Sequence, residues 1–178
     1  MNIKEAIILA GGLGTRIQSV LPDIPKCLAP VAGKPFLDYV INHFRIQGIE
    51  KFIFATGYKS EMIEDYLNNH SQIQYLVSKE KEPLGTGGAI KLAAQQASTK
   101  NILVLNGDTL FRINVGKLNV LHNLHEAICT LSLKPMKKAF PFRGADNSLA
   151  PLKNVTNCQS ASNYLNIAEM LLEILMKS

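Results

Sequence analysis

The chain has 178 residues, of which 47% are apolar and 19% charged, with a net charge of +5. That is a single-domain length, the fractions exclude a disordered chain, and no apolar stretch is long enough to span a bilayer. Lys and Arg are scattered rather than run together, which excludes a nucleic-acid stripe, and Cys27, Cys129 and Cys158 lie too far apart for a metal cluster or a disulfide framework.

Residues 6–10 are a short apolar run closed by Gly11 and Gly12, the pattern of a strand buried on both faces. The run is too short for a secretory leader; with the widely spaced cysteines it predicts a cytoplasmic location. A glycine-rich loop follows, then a proline-punctuated stretch over 22–35. Pro35 is expected at the first position of a helix whose inner face is Phe36, Leu37, Val40, Ile41 and Phe44, with Gly48 as its stop. A second strand is expected over 52–55. Ser60 is expected to cap the next helix, with Met62, Ile63, Tyr66 and Leu67 facing inward. A third strand over 73–77, a small-residue helix over 88–97, a fourth strand over 102–105, a helix over 115–124 and a strand over 127–133 complete the regular part.

Strands alternating with helices predict an α/β fold, a three-layer α/β/α sandwich on a mostly parallel sheet. In such sheets ligands sit at the carboxyl ends of strands, where the strand order reverses. That directs attention to the loop over 11–16 and to residues 106–108. The organisation expected is a core over 1–135, an irregular connection over 136–160 and an apolar helix over 161–178. The last is apolar around most of its circumference and offers a subunit contact for a homo-oligomer.

The first loop reads Gly11-Gly12-Leu13-Gly14-Thr15-Arg16. Glycines let the backbone approach a phosphate, successive N–H groups form an anion nest, and Arg16 adds a charge-assisted contact. A dinucleotide fingerprint fails here, because Ile17 stands at its last glycine. A P-loop fails around Gly33-Lys34, because Leu28 and Pro35 replace required residues. Lys26, after Pro25, is either a surface lysine or a cation that neutralises charge in phosphoryl transfer. Leu84-Gly85-Thr86-Gly87-Gly88-Ala89 is either a tight turn with close helix packing or bare backbone lying against a base. Asp108, in Asn106-Gly107-Asp108, either caps a turn or holds Mg²⁺ against phosphates. His43, His70, His122 and His125 lack partners at ligand spacing and are expected at the surface. Cys27 is expected as a packed thiol. Tyr58 either lines the site or packs.

In this order and context the motifs resemble those of the sugar-1-phosphate nucleotidyltransferase family. The stretches Thr56-Gly57-Tyr58-Lys59 and Asn106-Gly107-Asp108-Thr109-Leu110-Phe111 are most similar to its D-glycero-D-manno-heptose 1-phosphate guanylyltransferase branch, with mannose-1-phosphate guanylyltransferases and muramate-phosphate uridylyltransferases as near branches. The resemblance covers residues 3 to about 135. It implies the Rossmann-like nucleotide-diphospho-sugar transferase fold and the joining of a nucleoside triphosphate to a sugar 1-phosphate, with release of pyrophosphate and Mg²⁺ as cofactor. It further implies nucleotide contacts at Leu9, Ala10, Gly11, Gly12, Gly14, Thr15, Gly85, Thr86, Gly87, Gly88 and Asn106. Arg16 and Lys26 match the basic residues at the transferring phosphate, and Asp108 the first metal-binding aspartate. Guanine is the base implied. After Met136 the family's sugar-binding turn and second metal aspartate find no match, so a nucleotide-binding chain without turnover is the alternative. The family's sheet also carries an antiparallel strand beside the one expected over 127–133, so an exposed edge or a compensating pairing is expected there.

Overall fold

The computed structural model describes residues 3–12, 23–69 and 72–132. Two compact units are present, residues 1–116 and 117–178. In the first, β1 (Glu5–Leu9), β4 (Lys51–Thr56), β5 (Gln74–Lys79) and β6 (Leu103–Asn106) form a parallel sheet in the order β5-β4-β1-β6. A minor antiparallel hairpin, β2 (Pro30–Val31) with β3 (Lys34–Pro35), precedes α1 (Phe36–Arg45). The other helices are α2 (Ser60–Asn68), α3 (Gly85–Ala94) and α4 (Val115–Leu124).

The order follows from the chain path. From β1 the chain steps through α1 to β4 and through α2 to β5, then returns through α3 to β6 on the far side of β1. Right-handed crossovers that reverse direction place α3 on the opposite face from α1 and α2. The expected parallel α/β/α arrangement is therefore present. Its reversal point lies between β1 and β6, beside Gly11 and Gly107.

The central strands are buried on both faces, which is why they read as unbroken apolar runs: Ala6, Ile7 and Ile8 on β1, and Phe52, Ile53, Phe54 and Ala55 on β4, are at most 2% exposed. Leu37, Val40, Ile41 and Phe44 bury the inner face of α1, and Gly48 takes the left-handed turn (φ +97°) that ends this segment. Ile63, Tyr66 and Leu67 do the same for α2.

Four local expectations are corrected. Pro35 precedes α1 in extended conformation (ψ 138°) rather than opening it. Ser60 is the first helical residue of α2, not its cap: its hydroxyl shares a hydrogen bond with Thr56 Oγ1 (2.9 Å) and donates to Glu64 (2.6 Å), while Lys59 holds the cap position in a left-handed conformation. Met62 is 37% exposed, because it stands at the edge of the buried stripe. Residues 127–132 form no strand; Leu133 lies outside the described residues. A strand needs a ladder partner for its N–H and C=O groups. Among the described residues this stretch has none, and Ile128 is 88% exposed. β6 likewise pairs only with β1 among the described residues. The connection over 136–160 and the terminal helix also fall outside the described residues.

One buried charge holds the amino-terminal edge of the sheet. Glu5, 3% exposed, accepts hydrogen bonds from Ser98 N (2.8 Å), Ser98 Oγ (2.6 Å), Thr99 N (2.8 Å) and Thr99 Oγ1 (2.8 Å), and pairs with Lys51 at 3.0 Å. Burial pushes its pKa upward, but these donors together outweigh it and bring the carboxyl from 4.5 down to about 2. A depressed folded pKa means that the stabilisation is complete above the unfolded value and is lost as pH falls from 4.5 toward 2. About 3 kcal/mol is at stake over that window. Urea unfolding followed against pH should therefore show a steep acid limb that flattens in Glu5→Gln. Parallel limbs in the two proteins would contradict this account.

Candidate active site

Three strand ends meet closely, with glycines at their contacts. Ala10 N donates to Ala55 O (2.9 Å), and Gly107 N donates to Leu9 O (2.9 Å). A Cβ on Gly11 would stand 3.0 Å from Gly57 N; one on Gly107 would stand 3.0 Å from Leu9 O and 3.3 Å from Cys27 Cβ. Gly12 faces open space. Bare backbone thus lines the carboxyl ends of β1, β4 and β6, where phosphate oxygens can approach N–H groups.

Lys26 enters from the segment after β1. Pro25 starts a single 3₁₀ turn, Lys26–Leu28, closed by Leu28 N donating to Pro25 O (2.8 Å). The turn is anchored by Cys27, which is 3% exposed. Burial, with the nearby charge of Asp108, pushes the Cys27 thiol up to about 12, so it is a packed, inert sulfhydryl as expected. With Cys27 pinned, Lys26 faces outward and its Nζ donates to Asp108 Oδ2 at 2.9 Å. Thr109 Oγ1 donates to Asp108 Oδ1 at 3.2 Å. Two residues 82 positions apart, singled out separately in the sequence, therefore meet at one point. Their side chains are 32% and 37% exposed, accessible to a ligand.

The second glycine loop lies at the other side of β4. Gly85 has φ +67° and opens α3. Thr86 is exposed and Gly87 buried. A Cβ on Gly88 would stand 2.6 Å from Leu84 Cβ, so this turn closes only around glycine. Sequence reasoning missed Glu80. Its N donates to Thr56 O (2.9 Å), and its Oε2 accepts from Leu84 N (3.0 Å), tying the loop to the ends of β4 and β5. The available signal was an acidic residue at a strand's carboxyl end, the same reasoning that singled out Asp108.

Leu9 is half-buried, Ala10 buried and Asn106 exposed at the end of β6. Gly14, Thr15 and Arg16 lie outside the described residues, as does His70. His43 departs from expectation: it is half-buried, because its ring stands edge-on to Phe44 at 5.0 Å and is bonded to Gln47 at 3.1 Å. His122 is also half-buried, with Nδ1 2.9 Å from Thr130 Oγ1, while His125 is exposed. A separate hollow of about 570 Å³ is lined by Lys34, Asp38, Tyr39, His43 and Arg112 among others. Leu110 lines it, but Lys26, Asp108 and the described glycines of both loops do not, so its size does not make it the nucleotide site. Among the described residues no group of three or more His, Cys, Asp or Glu is arranged to hold a metal, and no helix is long and apolar enough to cross a membrane.

Residues 5–143 match the profile of the nucleotidyl transferase family. The D-glycero-alpha-D-manno-heptose 1-phosphate guanylyltransferase of Aneurinibacillus thermoaerophilus is 49% identical over 135 residues, 75% of this chain and 59% of its own length. The protein of the same description from Campylobacter jejuni is 46% identical over 133 residues, 74% of this chain and 58% of its own. Among solved structures, HddC from Yersinia pseudotuberculosis complexed with GMP-PN superposes with a TM-score of 0.62 at 37% identity, covering 67% of this chain and 54% of that one. The chain thus spans little more than half the length of these relatives.

Proposed function

Because the chain belongs to the nucleotidyl transferase family, we propose that its strand-end cleft joins a nucleoside triphosphate to a sugar 1-phosphate and releases pyrophosphate. The observation that carries this reading is the meeting of Lys26 and Asp108 at 2.9 Å beside the bare backbone of Gly11 and Gly107. Cation, carboxylate and glycine backbone at one switch point are what a metal-bound triphosphate requires.

In the reaction an oxygen of the sugar phosphate attacks the α-phosphorus in line. The new P–O bond forms as the bond to the β-phosphate bridging oxygen breaks, and pyrophosphate carries away that electron pair. The amides of Gly11 and Gly12 hold phosphate oxygens. Lys26, with Arg16, neutralises the charge that builds at the α-phosphate. Asp108 fits Mg²⁺, since a hard carboxylate oxygen at a strand end suits an ion that takes most of its ligands from phosphates and water. That ion, when bound, shields the pyrophosphate charge.

Glu80 supports guanine as the base. A carboxylate only accepts hydrogen bonds, and after Leu84 N it retains acceptor capacity. The Watson–Crick edge of guanine presents two adjacent donors, N1–H and N2–H, which match such a group. The relatives' own descriptions support a heptose or mannose 1-phosphate as the acceptor, which makes the product a GDP-sugar for cell-surface glycans such as lipopolysaccharide or capsule. A cytoplasmic setting, where nucleoside triphosphates are made, suits this chemistry, and a homo-oligomer through residues 161–178 belongs to the same reading.

Nucleotide binding without turnover is the second reading. A coupled pyrophosphate-release assay separates the two. GTP, UTP, CTP, ATP and dTTP are offered with Mg²⁺ and a panel of sugar 1-phosphates, and release is expected with GTP and heptose or mannose 1-phosphate. Silence with every pair removes the transferase reading, and nucleotide titration without sugar then tests the second.

A further inference from the structure

The hollow of about 570 Å³ beside α1 lies wholly within the first unit, and the segment that follows Asp108 forms part of its lining. Tyr39 and Leu110 give it apolar walls, and two cations, Lys34 from β3 and Arg112 from beyond β6, share it. Both cations are exposed, and among the described residues neither side chain has a hydrogen bond or an ion pair. Like charges gathered beside apolar walls from distant segments cost the fold rather than support it. Among the described residues Asp38 is the one carboxylate that lines the hollow, and it accepts a hydrogen bond from the Tyr66 hydroxyl. The Tyr39 hydroxyl donates to Val31 O at 2.9 Å, so what this residue offers a ligand is chiefly its ring. The tautomer of His43 follows from its neighbour. Val115 N donates to Gln47 Oε1 (3.0 Å), which turns the Gln47 amide nitrogen toward His43 Nε2 (3.1 Å) and His43 O (3.3 Å). An amide nitrogen only donates, so His43 Nε2 accepts and Nδ1 carries the ring proton. The hollow thus gathers an ammonium, a guanidinium and an imidazole N–H around an apolar interior.

We propose that this hollow is a second ligand site, which takes a phosphate monoester carried on a compact apolar body. Two cations and a ring N–H match a dianion with several acceptor oxygens, whereas a carboxylate would leave one cation unmatched. The guanidinium of Arg112 can hold two phosphate oxygens at once, and the Lys34 ammonium acts as a point charge beside it. The Tyr39 ring and Leu110 then cover the rest of the ligand, and the volume is that of a small-molecule site. Because the hollow shares neither Lys26 nor Asp108 with the strand-end cleft, the proposal stands apart from the transferase reading.

Phenyl phosphate serves as the probe and phenol as its uncharged counterpart, each titrated into the full chain while the imidazole proton resonances are followed by NMR. The His43 signals, identified by their loss in His43→Gln, should move saturably with phenyl phosphate and far less with phenol. Arg112→Gln and Lys34→Gln should each weaken phenyl phosphate binding about tenfold, the worth of one charge-assisted contact. Both positions are exposed, so the fold is not at stake in either variant. Lys26→Met, which alters only the strand-end cleft, should leave phenyl phosphate binding unchanged. His43 signals that stay still with phenyl phosphate would overturn the proposal, as would unaltered affinity in either cation variant. Equal movement with phenol would reduce the hollow to an apolar surface, and an equal loss in Lys26→Met would put the probe in the cleft; each of these overturns it too.

Discussion

Replacing Lys26 by methionine should lower pyrophosphate release by about a hundred- to a thousandfold, the usual loss when one pre-positioned charge donor is removed from a phosphoryl-type transition state. The same change should leave stability nearly untouched. Lys26 and Asp108 are each about one-third exposed, and a pair screened to that degree contributes no more than about 1 kcal/mol. The 3₁₀ turn beneath is held by Cys27 and by the Leu28 N–Pro25 O bond, neither of which the substitution alters. Turnover and urea midpoint should therefore separate. Lys26→Arg, which keeps the charge but changes its reach and shape, should fall between. A variant that loses activity only in proportion to its folded fraction would place Lys26 outside the chemistry.

The second large effect is steric. Gly107→Val should cost about 3 kcal/mol, at the upper end of overpacking penalties. The obstacle is one backbone oxygen and two packed side chains: its Cβ would meet Leu9 O at 3.0 Å, Ile8 Cγ2 at 3.2 Å and Cys27 Cβ at 3.3 Å. Leu9 O also accepts the Gly107 N–H, so relief requires β6 to draw back from β1. That movement would carry Asp108 away from Lys26, and Mg²⁺-dependent nucleotide binding should weaken together with stability. Gly12→Ala is the control. Its Cβ meets nothing within 4 Å, so its unfolding free energy should stay within about 0.5 kcal/mol of the parent. Equal destabilisation by the two changes would show that the three strand ends are not packed as described.

Much of the fold was legible because local and global demands agree. Residues 6–8 and 52–55 are apolar throughout, since both faces of those strands are covered. The face of α1 could be read from spacing because Leu37, Val40, Ile41 and Phe44 recur at helical intervals. Element boundaries slipped by a few residues where the decisive contact is distant. α3 begins at Gly85 rather than 88, since Glu80 binds Leu84 N and the positive φ of Gly85 turns the chain into the helix. Ser60 carries the residue type of a cap, yet its hydroxyl is taken by Thr56 and Glu64 below it. The stretch over 127–132 has the composition of a strand, but no neighbouring strand among the described residues completes its ladder.

The amino-acid sequence by itself determined the alternation of strands and helices, the glycine loops at strand ends and the residue types of the candidate site. These are properties of short windows, set by side-chain period and by the steric freedom of glycine. Only the tertiary structure decided that Gly107 closes on Leu9 and Cys27, that Lys26 reaches Asp108, and that Glu80 stands on the same set of strand ends. Those pairings join segments far apart in the chain. They arise because parallel pairing of β4, β1 and β6 brings carboxyl ends into register, a condition that no window of sequence contains.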